Sequence, residues 1–243
     1  DYILAAFLQA CTPLIAGIFS IVWLRKHYTG LFKWPTIGEI INSYKEGWSI
    51  FVSSLAVNLY TATNVVVLGM LTNNVIVGYY SAADKLITCV RRGIYAVSDA
   101  IYPFISKMMK DDISKGLQFI KKQIFLYLVV GLIGCTSLFF FSDTIVKLLF
   151  GADYNLTVDV LRILSFVPLA VAISTVFGEE TMLPLNMNSA YSRTLVLAAF
   201  FSLLSIFPLC YLWGAKGVAM TMLLTEFLIM IIMGGLLRKQ LFQ

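Results

Sequence analysis

Apolar residues recur along this chain in runs of about twenty, the length an α-helix needs to cross the roughly 30 Å hydrocarbon core of a bilayer. The runs fall at 1–24, 48–71, 78–106, 118–141, 158–179, 190–212 and 215–237. They predict an all-α fold, a polytopic transmembrane helix bundle with nearly all of its length in or beside the membrane. The longest polar interval, "RKHYTGLFKWPTIGEIINSYKEGWS", divides the first run from the other six and carries Pro35 and Gly38. Its "IGEIINSYKEGW" portion has apolar and polar faces that suit an interfacial helix. The interval reads either as a joint between two bundles or as an ordinary cytoplasmic loop. The domains expected on the first reading are 1–24, the last helix of an earlier bundle; 25–47, a connector; and 48–243, a six-helix bundle. In the second long connection, "TIVKLLFG" suggests a short amphipathic surface helix ended by Gly151. Trp23, Trp48 and Trp213 stand at run ends, where an aromatic belt places them.

Composition agrees. Hydrophobic residues make up 59% of the chain and charged ones 13%, against about 25% charged in soluble domains. Lys and Arg gather in alternate loops: Arg25, Lys26, Lys33 and Lys45, then Lys107, Lys110, Lys115, Lys121 and Lys122, then Arg193, then Arg238 and Lys239. Only Lys147 and Lys216 fall on the other side. Positive residues stay inside, so the C-terminus is expected in the cytoplasm. The net charge of +5 follows from this bias, and nucleic acid is not expected as a partner. The loops are too short for a folded extramembrane domain. The chain opens at Asp1, directly on an apolar run with no basic segment before it, which argues against a signal peptide. It is expected to start partway through a longer protein. Cys11, Cys89, Cys135 and Cys210 all lie within runs and form no CxxC or Cys/His cluster, and His27 is alone beside Arg25 and Lys26. No metal, cofactor or disulfide framework is expected.

The third run differs from the rest. At about 100° per residue, Asp84, Lys85, Thr88, Arg91, Arg92, Tyr95, Ser98, Asp99 and Tyr102 share an arc of roughly 140°. An Arg near the bilayer centre costs about 2.5–3.5 kcal/mol even on a lenient scale. Arg91 and Arg92 lie too far from either end of the run to snorkel, so they face protein or water. Two outcomes are open. They pair with Asp84, Asp99 and an acid elsewhere in a buried network, or they line a hydrated cavity whose excess positive charge receives an anion. The guanidinium fork fits phosphate oxygens. Asn58, Thr61 and Asn64, at steps of three in the second run, either line the same cavity or hydrogen-bond between helices. Glu226 is a lone carboxylate deep in the last run, expensive unless paired or protonated, and is a candidate counter-ion or proton site. Glu179 and Glu180 read as a solvated terminus. Pro103, Pro168 and Pro208 permit kinks.

"LYTATNVVVLGMLTNNVIVGYYSAADKL", "AIYPFISK" and "LLFGADYNLTVDVLRILSFVPL" together resemble the C-terminal half of the polysaccharide-biosynthesis flippases, the O-antigen branch of the MOP (MATE-like) superfamily. The resemblance implies two six-helix bundles around a central cavity, and outward movement of undecaprenyl-pyrophosphate-linked sugar units by alternating access. It implies the bacterial cytoplasmic membrane as location. The implied partners are the polyprenyl-pyrophosphate-linked oligosaccharide, membrane lipid, an N-terminal bundle of the same protein and other polysaccharide-assembly proteins. Similar flippases of the peptidoglycan precursor place cavity arginines on the corresponding helix, which carries over to Arg91 and Arg92. The substrate-binding set expected here is Arg91, Arg92, Lys85, Asn58, Asn64 and Tyr95, with Asp84, Asp99 and Glu226 for coupling or charge balance. No catalytic residue is expected of such a transporter. The alternatives are a cation-coupled multidrug antiporter, which would favour an acidic cavity, and a polysaccharide polymerase or glycosyltransferase, which would need a catalytic loop.

Overall fold

The computed structural model describes residues 2–27, 35–151 and 153–242. Residues 28–34 of the connector, with Lys33, and the side chain of His27 lie outside that set. Every regular element among the described residues is helical. The chain divides into two compact units, Asp1–Glu46 and Gly47–Gln243.

The first unit holds α1 (Tyr2–His27) and the start of α2 (Ile37–Leu71). A capping box opens α2: the backbone N–H of Thr36 donates to Glu39 Oε2 at 2.7 Å, and that of Glu39 donates to Thr36 Oγ1 at 3.4 Å. The first of these bonds holds the Glu39 carboxyl below its ordinary pKa. Because the box starts the helix at Ile37, the expected interfacial segment is no separate element but the first turns of α2.

The second unit continues with α3 (Asn74–Asp111), α4 (Ile113–Phe150), α5 (Asn155–Leu164), α6 (Val167–Phe177), a π turn (Gly178–Met182), α7 (Asn188–Trp213) and α8 (Ala215–Phe242). The connections are short and chemically specified. Asn73 caps α3, its side chain accepting from Ile76 N at 3.0 Å. Asp112 alone separates α3 from α4 and accepts from the backbone of Ser114 and Lys115. Gly214, at φ 55° and ψ −130°, makes the single-residue turn between α7 and α8 in a conformation that side chains other than hydrogen oppose. Three residues on, a Cβ on Gly217 would stand 1.8 Å from the Leu209 carbonyl oxygen, so the two helices meet there backbone to backbone.

The α6 helix lies at the centre. All its residues from Val167 to Val176 are buried, as a helix apolar on every side requires. Around it one core cluster includes Leu68, Tyr80, Ile87, Leu161 and Met222, and a second includes Tyr60, Ile105, Ile120, Met182 and Met233.

Among the described residues, five stretches are long and apolar enough to span a membrane: Ile50–Leu71, Ile113–Phe150, Asn155–Met182, Asn188–Trp213 and Ala215–Gln240. The protein is a multi-pass membrane protein, all-α in class. Run 78–106 corresponds to α3, a helix of 38 residues that is not among the five; Asp84, Lys85, Arg91, Arg92 and Asp99 lower its hydropathy. The first run, many of whose side chains are outside the described residues, is not among them either.

Two local expectations change. "TIVKLLF" is not a separate surface helix but the last turns of α4: Lys147 Nζ bonds Asp143 at 2.8 Å, and nothing breaks the backbone before Gly151 at φ 100°. Run 158–179 is two helices and a π turn, offset at Ser165 and Phe166 just ahead of Pro168.

Candidate functional site

One helical face of α2 carries Ile50, Ser53, Ser54, Val57, Asn58 and Thr61, at steps of three and four. One face of α3 carries Thr88, Arg91, Arg92, Tyr95, Ser98, Asp99 and Tyr102 at the same steps. With Glu179, Leu183, Tyr191 and Leu195 these faces enclose a cleft of about 880 Å³ within the second unit. From Thr88 to Tyr102 the polar arc of α3 is thus the wall of a cavity large enough for a small-molecule head group.

The two arginines occupy different environments. Arg92 is exposed in the cleft, and no carboxylate forms a salt bridge with it among the described residues. Arg91 is buried, its side chain 11% exposed, and its Nη2 lies 3.5 Å from Oε1 of Glu226, whose side chain is 4% exposed. The same Oε1 accepts from the Tyr60 hydroxyl at 3.0 Å. Arg91 Nη2 also donates to the Tyr95 hydroxyl at 3.4 Å, while its Nε is buried without a partner. The contact to Glu226 is longer than the 2.7–2.9 Å of a strong charge-assisted bond. It neutralises the pair but leaves donor capacity on the arginine.

The remaining expected residues separate. Asn58 lines the cleft and donates to the Ser54 carbonyl at 2.9 Å. Asn64 does not line it; six residues on, it has rotated into the core, where its Oδ1 is buried without a partner. Asp99 lines the cleft, whereas Lys85 is exposed and Asp84 half-buried, and neither lines it. The positive excess expected of this face is therefore not carried into the cleft. Two arginines face two carboxylates, Asp99 and Glu179, with Glu226 behind Arg91.

Glu179 and Glu180 do not form a solvated end. The π turn inserts one residue into the helical repeat, and its consecutive carboxylates point in different directions, as neighbours on a helix do. Glu179 faces the cleft, and Glu180 is fully buried, accepting from Ser98 Oγ at 2.6 Å and Gln123 Nε2 at 2.5 Å. Tyr60, Tyr191, Glu179 and the Glu180–Gln123 pair are residues that sequence reasoning missed. A buried Gln on α4 was the one signal for Glu180, and periodicity alone does not reveal its partner.

This is a polytopic helical membrane protein with a charged, tyrosine-lined cleft. Residues 1–109 match a family model described as "Polysaccharide biosynthesis protein". The chain is 31% identical over 235 residues to a protein of Escherichia coli (strain K12) named "Putative O-antigen transporter", covering 94% of this chain and 55% of that one. It is 30% identical over 233 residues to a Shigella dysenteriae protein of the same name, covering 96% of this chain and 58% of that protein. A Staphylococcus aureus "Capsular polysaccharide biosynthesis protein CapF" is 27% identical over 231 residues, covering 90% of this chain and 57% of that protein. The chain spans a little over half the length of these relatives. No solved structure matches. The matches support the polysaccharide-biosynthesis and O-antigen flippase family that the sequence resembles.

Proposed function

We propose that the chain forms one half of a transporter that carries a lipid-linked oligosaccharide, joined through pyrophosphate to a polyprenol, across the bacterial cytoplasmic membrane. The C-terminus lies in the cytoplasm, as the loop charges predict. The observation that carries the proposal is Arg92, exposed on the cleft wall with no carboxylate partner among the described residues, next to an Arg91 with an unused donor. A pyrophosphate entering the cleft takes Arg92 first and then Arg91. Asn58, Thr61, Thr88 and the three tyrosines Tyr95, Tyr102 and Tyr191 supply hydroxyl, amide and aromatic surface for the first sugars. The prenyl chain remains among the lipids, and alternating exposure of the cleft completes transfer without a covalent step. The names of the relatives support transport.

The test is complementation. In cells deleted for the full-length gene, the Arg92→Ala variant should restore no more than about a tenth of surface polysaccharide while reaching the membrane at normal level; full restoration would reject the anion role. A second reading, a cation-coupled antiporter of cationic compounds, draws on Asp99 and Glu179 in the same cleft. It expects Asp99→Asn to abolish resistance to cationic dyes and Arg92→Ala to leave it intact.

A further inference from the structure

We infer that Glu226 competes with the incoming anion for Arg91, so that seating a doubly charged phosphate-type group in the cleft requires a proton to arrive on Glu226. The inference rests on the anion-site reading of the cleft and goes beyond it, since it assigns the coupling residue and the coupled ion.

The geometry of the guanidinium sets up the competition. It offers two bidentate edges, Nε with Nη2 and Nη1 with Nη2, and Nη2 is common to both. In this protein Nη2 is the nitrogen already held, by Glu226 at 3.5 Å and by Tyr95 at 3.4 Å, while Nε stands buried and empty. Each edge uses its own Nη2 hydrogen, and an anion that takes either one brings its charge against the Glu226 carboxylate 3.5 Å from that nitrogen. Tyr95 can turn its hydroxyl and accept a different partner. Glu226 has no such freedom. With its side chain 4% exposed, it is left on losing Arg91 with the Tyr60 hydroxyl as its remaining donor, and an ionised carboxylate so placed is far costlier than the neutral acid.

Among the described residues, those lining the surroundings of Glu226 include no substitute cation. A small cavity of about 50 Å³ beside Glu226 is lined by Tyr60, Tyr95, Glu179 and Tyr191, with Ser174 and Thr175 of α6. Its titratable members are thus α2 Tyr60, α3 Tyr95, Glu179 of the π turn and α7 Tyr191; on α8 itself Ile229 and Met233 line it. The helices α4 and α5 also pack on α8, but α5 Asp159 bonds Lys216 at 2.7 Å and Arg162 donates to Ser142 at 3.1 Å, so neither is directed at Glu226. Glu179, Tyr95 and Tyr191 line the main cleft as well. A proton therefore has a polar path from the cleft to Glu226. The sign follows: binding is tightest with Glu226 neutral and weakens as pH rises through the carboxyl's pKa in the anion-free protein.

The experiment uses the full-length gene product in lipid nanodiscs, titrated with inorganic sulfate, whose charge is constant over the range, and with inorganic pyrophosphate. Wild type should bind sulfate about tenfold more tightly at about pH 5.5 than at about pH 8. Calorimetry in buffers of different ionisation heat should show net proton uptake averaging about 0.4 per sulfate between those limits, as a tenfold change in affinity requires. Glu226→Gln should bind at the higher pH as wild type does at the lower, with a residual pH response under about twofold, and Glu179→Gln should keep the wild-type response. Sulfate binding without proton uptake in wild type, or an undiminished pH response in Glu226→Gln, would overturn the inference and leave the anion site standing. The wild-type proton count decides the matter even where Glu226→Gln fails to fold. Absence of sulfate and pyrophosphate binding at both pH values would overturn the anion site and the inference with it.

Discussion

Two neighbouring arginines in one helix do unlike work, and substitution should separate them. Removing Arg91 strands a carboxylate whose side chain is 4% exposed, so Arg91→Ala should destabilise the protein by about 3–5 kcal/mol. The double variant Arg91→Met with Glu226→Leu should recover most of that loss, because a buried pair exchanged for apolar groups is often neutral. Arg92→Ala, which breaks no ion pair among the described residues, should change stability by less than about 0.5 kcal/mol. Denaturant or thermal unfolding in detergent measures all three. Sequence periodicity placed both arginines on the same arc and recognised Glu226 as a carboxylate in need of a partner. It could not join the two, since an ion pair between α3 and α8 depends on how distant helices pack, and nothing local encodes that. For the same reason Asn64 was grouped with Asn58, although a further six residues of helix turn it toward the core.

Elements carry their own tests. Glu180 is held by Ser98 of α3 and Gln123 of α4, and no cation appears among those contacts. Gln123→Leu should cost about 1–3 kcal/mol by leaving that carboxylate short of a donor, read from the unfolding midpoint. Where α7 meets α8, Gly217→Ala drives a methyl against the Leu209 carbonyl, 1.8 Å from where the Cβ would sit. The hairpin must open, at a cost of about 1–3 kcal/mol, visible as faster proteolysis of the α7–α8 region. Helix existence was legible from apolar run length for each helix discussed here. Breaks were not. "FSDTIVK" holds polar residues that suggest a loop, yet Ser142 satisfies its hydroxyl on the Phe139 carbonyl and Asp143 pairs with Lys147 one turn on, so α4 passes straight through. The π turn left no periodic trace at all.

At the scale of the molecule, the outer surface of the second unit is apolar: Phe125, Ile133, Phe140, Phe200 and Leu204 are each at least 60% exposed. Such a surface suits hydrocarbon, where it meets no water. Ile133→Arg should raise the cost of inserting α4 by about 2.5–3.5 kcal/mol, seen as a fall in the membrane-inserted fraction. The positive loops predict that a reporter fused after Gln243 is active only when it folds in the cytoplasm; activity of an exported reporter there would reverse the topology.

The length of α4 has a consequence of its own. Thirty-eight residues make a rod of about 57 Å, nearly twice the thickness of the oily slab it traverses. Lys115, Lys121 and Lys122 mark the end that stands among phosphates on one side, and about 30 Å of grease separates them from Ser142. Past Ser142 the helix emerges on the far side as a stub, anchored by Val146 in the core and with Leu148 83% and Leu149 57% exposed. A thicker or thinner membrane would wet or cover that stub before it disturbed anything in the interior.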